Sequence, residues 1–174
     1  MDADYLESLG EAGVELYEKG CSDCAINMFN MIIDIDSNNS DAMFWIGLCS
    51  LSSGESAEAI KWFKNALNVD RYYFDPNNYL YMALAFVDCD QSAKGILCAM
   101  LGATLFMRSN EIEGKAYVDD FVNLLDILID DGYNGYNQIR DTISIIGRDS
   151  DLFPVLDLAS QLFDDIPIPI LRMI

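Results

Sequence analysis

The sequence predicts an all-α protein built from tandem helical hairpins, and three observations lead to that class. The chain of 174 residues, aligned with itself, repeats with a period of 34, so that a unit starting at Leu6 is followed by one starting at Ser40. Glycine, alanine and phenylalanine return at the same places in successive units. No segment alternates apolar and polar residues in the way that a half-buried strand would.

The repeating unit has the length of a tetratricopeptide repeat, which folds as two antiparallel helices joined by a tight turn. Five matched pairs support the first two units: Gly13 and Gly47, Gly20 and Gly54, Ala25 and Ala59, Phe29 and Phe63, and Ile32 and Ala66. A third unit, displaced by two residues and starting at Pro76, has small residues at Ala83, Gly95, Ala99 and Gly102. We therefore expect three repeats in a right-handed superhelical array.

The helices follow in order from these units. They are predicted at 3–19 and 22–35, at 40–53 and 56–69, and at 77–89 and 92–107. The second helix of each repeat begins at a serine, Ser22, Ser56 or Ser92, which is expected to act as the N-cap. The third unit departs from the pattern at Asp90, which stands where the turn glycine would be.

The small residues have two predicted roles. Gly13, Gly47 and Ala83 lie where the first helix of a repeat must approach the second closely. Gly20 and Gly54 are predicted to end the first helices in a conformation with positive φ, which glycine adopts without steric cost. The recurring phenylalanines are predicted to fill the space between neighbouring repeats.

Beyond the repeats the sequence predicts further helices at 114–131, 138–146 and 151–163. The end of the chain contains Pro167 and Pro169, which exclude a regular helix and predict an extended segment. The chain is thus divided into a three-repeat domain at 1–109, a helical extension at 110–165 and an extended tail at 166–174.

Charge and composition exclude several functions. The chain has 29 acidic and 10 basic residues, a formal net charge of −19, and is therefore poorly suited to nucleic acid. It has no histidine, which excludes Ser-His-Asp and Cys-His catalysis and histidine metal ligands. No apolar run is long enough to span a membrane, and the acidic N-terminus lacks the pattern of a secretory signal. We expect a cytoplasmic protein that is not an enzyme, uses no cofactor or metal, and does not insert into membranes.

The five cysteines are Cys21, Cys24, Cys49, Cys89 and Cys98. Their odd number and wide spacing are unlike a disulfide framework. Cys21 and Cys24 form a C-x-x-C pair, but the pair has neither the βαβ context of a redox motif nor the second cysteine pair of a zinc site. The cysteines are therefore predicted to be free thiols that serve as small, buried packing residues.

Acidic segments are predicted to be structural. Residues 34–40 resemble the opening of a calcium-binding loop, but Asn39 stands where that loop needs glycine and Trp45 where it needs glutamate. We predict an inter-repeat turn there. Adjacent carboxylates such as Asp119 and Asp120 are predicted to be solvated, since neighbours on a helix point about 100° apart. A hydrolase with an acidic site in the C-terminal helices is kept as the contrasting function.

A groove is the functional site that this repeat family suggests, because the second, fifth, ninth and twelfth positions of each first helix line its concave surface. In this chain eight of those positions are large and apolar: Val14, Tyr17, Phe44, Leu48, Leu51, Leu80, Leu84 and Val87. Such a patch predicts an extended peptide ligand with apolar anchors and an acidic rim. Basic residues that would clamp the acidic tail of a heat-shock chaperone are missing from these positions. We expect the groove side chains to be distinct from those that pack the helices together.

A more specific resemblance is carried by the second and third repeats. The third opens with Asp75-Pro76, followed by Tyr79, Ala83 and Ala85-Phe86, and the second contains Phe44-Trp45-Ile46-Gly47-Leu48-Cys49. This arrangement resembles the class II chaperones of bacterial type III secretion, which keep hydrophobic translocator proteins soluble before export. The resemblance covers residues 5–107, whereas residues 130–174 have no counterpart.

The resemblance implies a cytosolic chaperone or adaptor of a virulence system that binds an extended apolar segment of a translocator or a related secreted protein. It implies that the client is received by Tyr17, Phe44, Leu48, Leu51, Leu80 and Leu84. Two alternatives stay open. The chain is a generic scaffold that assembles a protein complex, or its groove is covered by its own C-terminal helices or by a second copy in a homodimer.

The tail, Pro169-Ile170-Leu171-Arg172-Met173-Ile174, resembles the Pro-x-Leu-x-x-Pro segments by which translocators bind these chaperones, with Ile174 in place of the last proline. A proline-stiffened peptide loses little entropy when it becomes ordered, which favours docking into the groove of its own or a neighbouring molecule. The alternative is a frayed or locally packed terminus.

Overall fold

A computed structural model describes residues 3–69, 76–91, 94, 95, 98, 99 and 102. Within these residues the secondary structure is helical, with turns between the helices. The helices are α1 (Ala3–Glu18), α2 (Ser22–Ile35), α3 (Ser40–Ser52), α4 (Ser56–Val69) and α5 (Pro76–Asp88). The all-α prediction is confirmed, and each predicted helix boundary in this part lies within one residue of the observed one. The helices predicted after residue 110 and the tail at 166–174 lie outside the described residues.

The chain consists of two compact units, Met1–Tyr73 and Phe74–Ile174, and the first contains α1 to α4. In this unit α1 packs against α2, α3 packs against α4, and α2 packs against α3. Successive hairpins therefore stack through the second helix of one and the first helix of the next, as the repeat period predicts. None of the helices in the described part is both long and apolar enough to cross a membrane.

In each of the first two hairpins, one glycine allows the two helices to approach closely. A Cβ atom added to Gly13 would lie 2.6 Å from Cζ of Phe29, and one added to Gly47 would lie 2.6 Å from Cε1 of Phe63. No real Cβ approaches an aromatic carbon so closely, so each phenylalanine ring fills the space that a side chain would need. The predicted close approach is confirmed in both hairpins.

The turns after the first helices all have the same hydrogen bonds. Gly20 donates to the carbonyl of Tyr17 (2.8 Å), and Cys21 donates to that of Leu16 (2.9 Å). Gly54 and Glu55 repeat the pattern in the second hairpin, and Asp90 and Gln91 repeat it after α5. The residue at the bend has positive φ each time: +79° at Gly20, +80° at Gly54 and +58° at Asp90. The predicted glycine turns are confirmed, and an aspartate adopts the same conformation in the third.

The prediction that Ser22 and Ser56 cap the second helices is wrong. The carbonyl of Cys21 accepts the N–H of Ala25, so Cys21 is the N-cap of α2 and Ser22 is its first helical residue. Ser56 likewise begins α4, after Glu55. The turn requires one residue after the glycine to complete its second hydrogen bond, which moves each serine into the helix. Ser92 lies outside the described residues.

Ser22 instead connects two hairpins. Its Oγ lies 2.9 Å from Oγ of Ser52, at the end of α3. The hydroxyl of Ser52 donates its proton to the carbonyl of Cys49 (2.9 Å), so Ser22 is the donor in the contact between the two serines. A hydrogen bond therefore joins the start of α2 to the end of α3.

One core cluster of the first unit lies between α1, α2 and α3 and consists of Leu9, Ala25, Phe29, Ile32, Ala42, Ile46 and Cys49. α4 adds further buried side chains, Phe63 among them. Cys49 is completely buried, and desolvation raises the pKa of its thiol to about 11. The thiol is therefore neutral at physiological pH and packs as a small apolar group.

The prediction of five free, buried thiols is wrong for two of them. Cys49 and Cys98 are buried thiols, as predicted, whereas the thiol of Cys89 is only half-buried. Cys21 and Cys24 are joined by a disulfide bond, with Cα atoms 5.3 Å apart, and both are half-buried. The first turn of α2 brings residues three positions apart onto one side of the helix, which places the two sulfur atoms together.

In the second unit, α5 buries Tyr79, Met82, Ala83 and Phe86. A Cβ atom added to Gly95 would lie 3.0 Å from the carbonyl oxygen of Ala83, so these two small residues mark the close approach in this unit. Burial raises the pKa of Tyr79 well above its usual range, with a further contribution from the neighbouring Cys98. Lys94 lies over the ring of Phe86, 5.6 Å from its centre.

Candidate peptide-binding groove

Five of the predicted groove residues lie in the first unit, on α1 and α3. Val14, Tyr17, Phe44 and Leu51 are half-buried, so each presents part of its side chain to solvent. Leu48 is only 6% exposed, so the prediction that it is an open groove residue distinct from the packing residues is wrong: its side chain is buried among the core side chains. Val14 and Tyr17 pack against the core of the first unit, which fixes their positions.

An aromatic cluster connects the α1 and α3 parts of this surface, and Trp45 is its centre. The Trp45 ring lies 5.7 Å from that of Tyr17 in an edge-on arrangement and 6.0 Å from that of Phe44. Its other contact is with Phe29 of α2, stacked at 5.8 Å with the planes 7° apart. Such pairs contribute roughly 0.5–1.5 kcal/mol each beyond the burial of area. Trp45 therefore holds Tyr17 and Phe44 in place beside each other.

Sequence reasoning assigned Phe44 to the groove and missed Trp45. The adjacent aromatic residues Phe44 and Trp45 were the signal that could have identified Trp45. Neighbours on a helix point about 100° apart, so the two rings must contact different partners. The prediction that groove residues are distinct from packing residues is wrong for Phe44. Its ring is 5.9 Å from that of Phe63 in α4, so Phe44 contributes to the packing of the second hairpin as well.

The other predicted groove residues lie on α5, in the second unit. Leu84 is 36% exposed and belongs to the most exposed large apolar side chains in the described residues. Leu80 is half-buried. Val87 is also half-buried, and its Cγ2 would lie 3.0 Å from a Cβ atom added to Gly95, so Val87 packs toward the segment that follows α5.

The charged groups of the groove positions are acidic. Glu7 and Asp41 occupy the first groove positions of α1 and α3 and are exposed. The basic residues lie elsewhere: Lys19, in the turn after α1, pairs with Glu15, and Lys61 of α4 pairs with Glu58 at 2.6 Å. The hydrogen bond from Lys19 lowers the pKa of Glu15. The arrangement suits apolar side chains flanked by basic ones rather than a carboxylate ligand.

The acidic segment at 34–40 forms the predicted inter-repeat turn. Asp36 accepts the backbone N–H of Asn38 at 3.1 Å, and Asn39 accepts that of Ala42 at 2.9 Å as the N-cap of α3. These side-chain oxygens are thus used within the turn. In the part of the chain that the structure describes, no three histidine, cysteine, aspartate or glutamate side chains are grouped as metal ligands.

Comparison by sequence finds no match: no protein-family model and no curated protein sequence is similar to the chain. Comparison by structure gives clear matches. The translocator chaperone SycD of Yersinia enterocolitica, solved as an alternative dimer, superposes with a TM-score of 0.69 at 19% identity, over 76% of this chain and 97% of SycD.

Two further matches contain bound partners. SycD in complex with a peptide of the translocator YopD has a TM-score of 0.65 at 20% identity, over 73% of this chain and 94% of the other. PcrH in complex with the chaperone-binding region of PopD has a TM-score of 0.67 at 17% identity, over 74% and 94%. Similarity at these identities establishes the fold, and the resemblance to type III secretion translocator chaperones is confirmed at that level.

Proposed function

We propose that this protein is a cytoplasmic, non-enzymatic chaperone that binds an extended apolar segment of a partner protein, most specifically of a type III secretion translocator. The observation that carries the proposal is the half-buried apolar surface formed by Tyr17 and Phe44 around Trp45. The fold, which the chain has in common with chaperones solved with translocator segments, supports the same function.

Binding at this surface follows from burial of apolar area. A side chain that is already half-buried and held by its neighbours loses little conformational entropy when a ligand covers it. Each apolar anchor of the client that becomes buried contributes about 1.5–3 kcal/mol before the costs of association are subtracted. Glu7 and Asp41 add attraction for basic residues that flank the anchors.

In this proposal residues 1–109 form the binding domain, which has apolar groove positions on α1 and α3 in the first unit and Leu80, Leu84 and Val87 on α5 in the second. The extension predicted at 110–165 and the tail predicted at 166–174 follow this domain in sequence. A homodimer is compatible with the same function.

The test is binding of a fluorescent peptide with the pattern Pro-x-Leu-x-x-Pro and a basic flank. Leu84→Glu places a charge at an exposed groove position, and we expect about a tenfold or larger loss of affinity. Met31→Glu is the matched control, because Met31 is 39% exposed against 36% for Leu84 and lies on α2, outside the predicted groove. Equal affinities of the two variants would contradict the proposal.

The alternative is a scaffold whose groove is covered by its own C-terminal helices. The two functions differ in the response to the peptide. A peptide that displaces a covering segment makes residues 110–174 more sensitive to protease, whereas a scaffold with a permanently filled groove binds no peptide and shows no change.

A further inference from the structure

We propose that Cys21 and Cys24 form a thiol–disulfide exchange site that reacts with low-molecular-weight thiols. The two residues are bonded to each other across the first turn of α2, with Cys21 at the N-cap and Cys24 within the helix. This reactivity goes beyond peptide binding and does not depend on it.

Accessibility distinguishes this pair from the buried cysteines. Cys21 and Cys24 are half-buried, so part of each residue is open to solvent. Cys49 and Cys98 are completely buried, which shields them from the same reagent. Cys89 is half-buried but is a single free thiol. Among the described residues, this pair is therefore the place where two electrons can be exchanged with a dissolved thiol.

The position at a helix N-terminus favours the reactive form of Cys21. The N-terminus of α2 has no side-chain cap, so the positive end of the helix dipole lies at Cys21, with the carboxylate of Asp23 in the same first turn as the opposing charge. A cysteine at such a position is stabilised as the thiolate, which is the nucleophile and the better leaving group in exchange. Cys24, three residues further on, is placed to act as the resolving thiol.

The exchange is balanced with two equivalents of thiol. The thiolate of the first attacks Sγ of Cys21, the bond between Cys21 and Cys24 breaks, and the sulfur of Cys24 leaves as a thiolate that takes up a proton. A second thiolate attacks the added sulfur, which releases the small disulfide and leaves Cys21 as a thiol or thiolate. Two electrons pass from the small thiols to the protein, and the reverse sequence reoxidises the pair.

The site is built into a junction of the fold. The backbone N–H of Cys21 donates to Leu16 and closes the turn after α1, and the next residue, Ser22, donates to Ser52 of α3. Tyr17 lies in the same turn and contacts Trp45, one of the two tryptophans of the chain. The redox state of the pair is therefore expected to alter the fluorescence of Trp45 in a Trp62→Phe variant.

The test equilibrates the folded, full-length chain in buffers of reduced and oxidised glutathione, followed by acid quenching, alkylation and peptide mass spectrometry. We expect Cys21 and Cys24 to become alkylated together as the buffer becomes more reducing, with helical circular dichroism unchanged. Cys24→Ser should trap glutathione on Cys21, and the control Cys89→Ser should titrate like the wild type. Cys49 should carry no glutathione in any of these buffers, because it is buried in the folded chain.

Two results would overturn the proposal. If the bond is reduced only after denaturant unfolds the chain, the pair is a structural bridge. If both residues stay alkylatable in every glutathione buffer, the bond does not form in solution and no exchange site exists. Failure of the peptide-binding experiment affects neither result, because exchange is measured without a client.

Discussion

The first two hairpins and the third meet the same geometric requirements with different residues. Gly20 and Gly54 supply positive φ after α1 and α3, whereas Asp90 adopts it after α5 with the same pair of hydrogen bonds. Between the helices, Gly13 and Gly47 receive a phenylalanine ring, whereas the third close approach joins Ala83 and Gly95.

The comparison teaches that the fold requires a conformation and a missing side chain rather than a particular residue. An aspartate tolerates the left-handed region at a cost because its short polar side chain forms local hydrogen bonds. The small residue can lie on either helix of a hairpin, since only the sum of the two side chains determines the distance between the helices. The first two hairpins use glycine at the bend, which adopts positive φ without steric cost, whereas the third uses aspartate.

The largest expected effect tests the close approach. Gly47→Leu forces a side chain into the space of the Phe63 ring, and we expect a loss of about 3 kcal/mol or more in the free energy of unfolding. Ser53→Leu, at the exposed C-cap of α3, is the control and should change stability by less than about 0.5 kcal/mol. Urea denaturation measures both, and equal midpoints would reject the assigned register.

The next effect tests the glycine turn. Gly54→Ala places a Cβ in a backbone with φ of +80°, where nothing else lies within 4 Å, so the cost is purely conformational. We expect a loss of about 1–2 kcal/mol. The fluorescence of Trp45 and Trp62 during urea unfolding reports it, and a variant as stable as the wild type would show that the turn does not need glycine.

Stability should change in the opposite direction when the corresponding turn of the third repeat is altered. Asp90→Gly removes the penalty of positive φ but adds entropy to the unfolded chain, so we expect a net gain of about 0.5 kcal/mol. Thermal unfolding followed by circular dichroism measures the shift. A loss of stability would mean that the Asp90 side chain contributes more than its backbone costs.

The pH dependence of stability provides a separate comparison of the two units. Burial raises the pKa of Cys49 in the first unit to about 11, from 9.0. The unfolded chain therefore ionises this thiol first, and the stability of the fold falls as pH rises from about 9 toward 11. Tyr79 in the second unit is shifted in the same direction, from 10.0, and its contribution begins at higher pH.

Cys49→Ala should remove the earlier part of this decline and leave the later part. Urea midpoints measured across the alkaline range, with tyrosinate absorbance as a second signal, distinguish the two contributions. A decline that begins at the same pH in the variant and the wild type would contradict the assignment to Cys49.

Much of the fold was predictable because its determinants are local or periodic. The positions of Gly20 and Gly54 fixed the turns, and the spacing of Gly13 and Phe29 fixed the helix contact. The N-caps were predicted one residue too late. The residue directly after the turn glycine donates the second hydrogen bond of the turn and becomes the N-cap, and the residue types alone do not indicate this.

The candidate site was less predictable for physical reasons. Repeat positions identify which side of α3 faces the groove, but the stacking of Trp45 on Phe29 depends on how two hairpins are packed. Phe44, predicted to be a groove residue, also packs against Phe63 of α4, and its position in the sequence does not reveal that contact. The bond between Cys21 and Cys24 depends on the distance between their sulfur atoms, which spacing in the sequence leaves open.

The stack of Phe29 on Trp45 has a consequence for how the first unit opens. Phe29 fills the space beside Gly13 in its own hairpin and also stacks on Trp45 of the next hairpin. The first hairpin therefore cannot detach without exposing the ring of Trp45 in the second. In a linear array, the strength of such nearest-neighbour contacts decides whether ends fray separately. Backbone amides of α1 to α4 should therefore exchange with deuterium as one cooperative block, rather than in a gradient from the N-terminus.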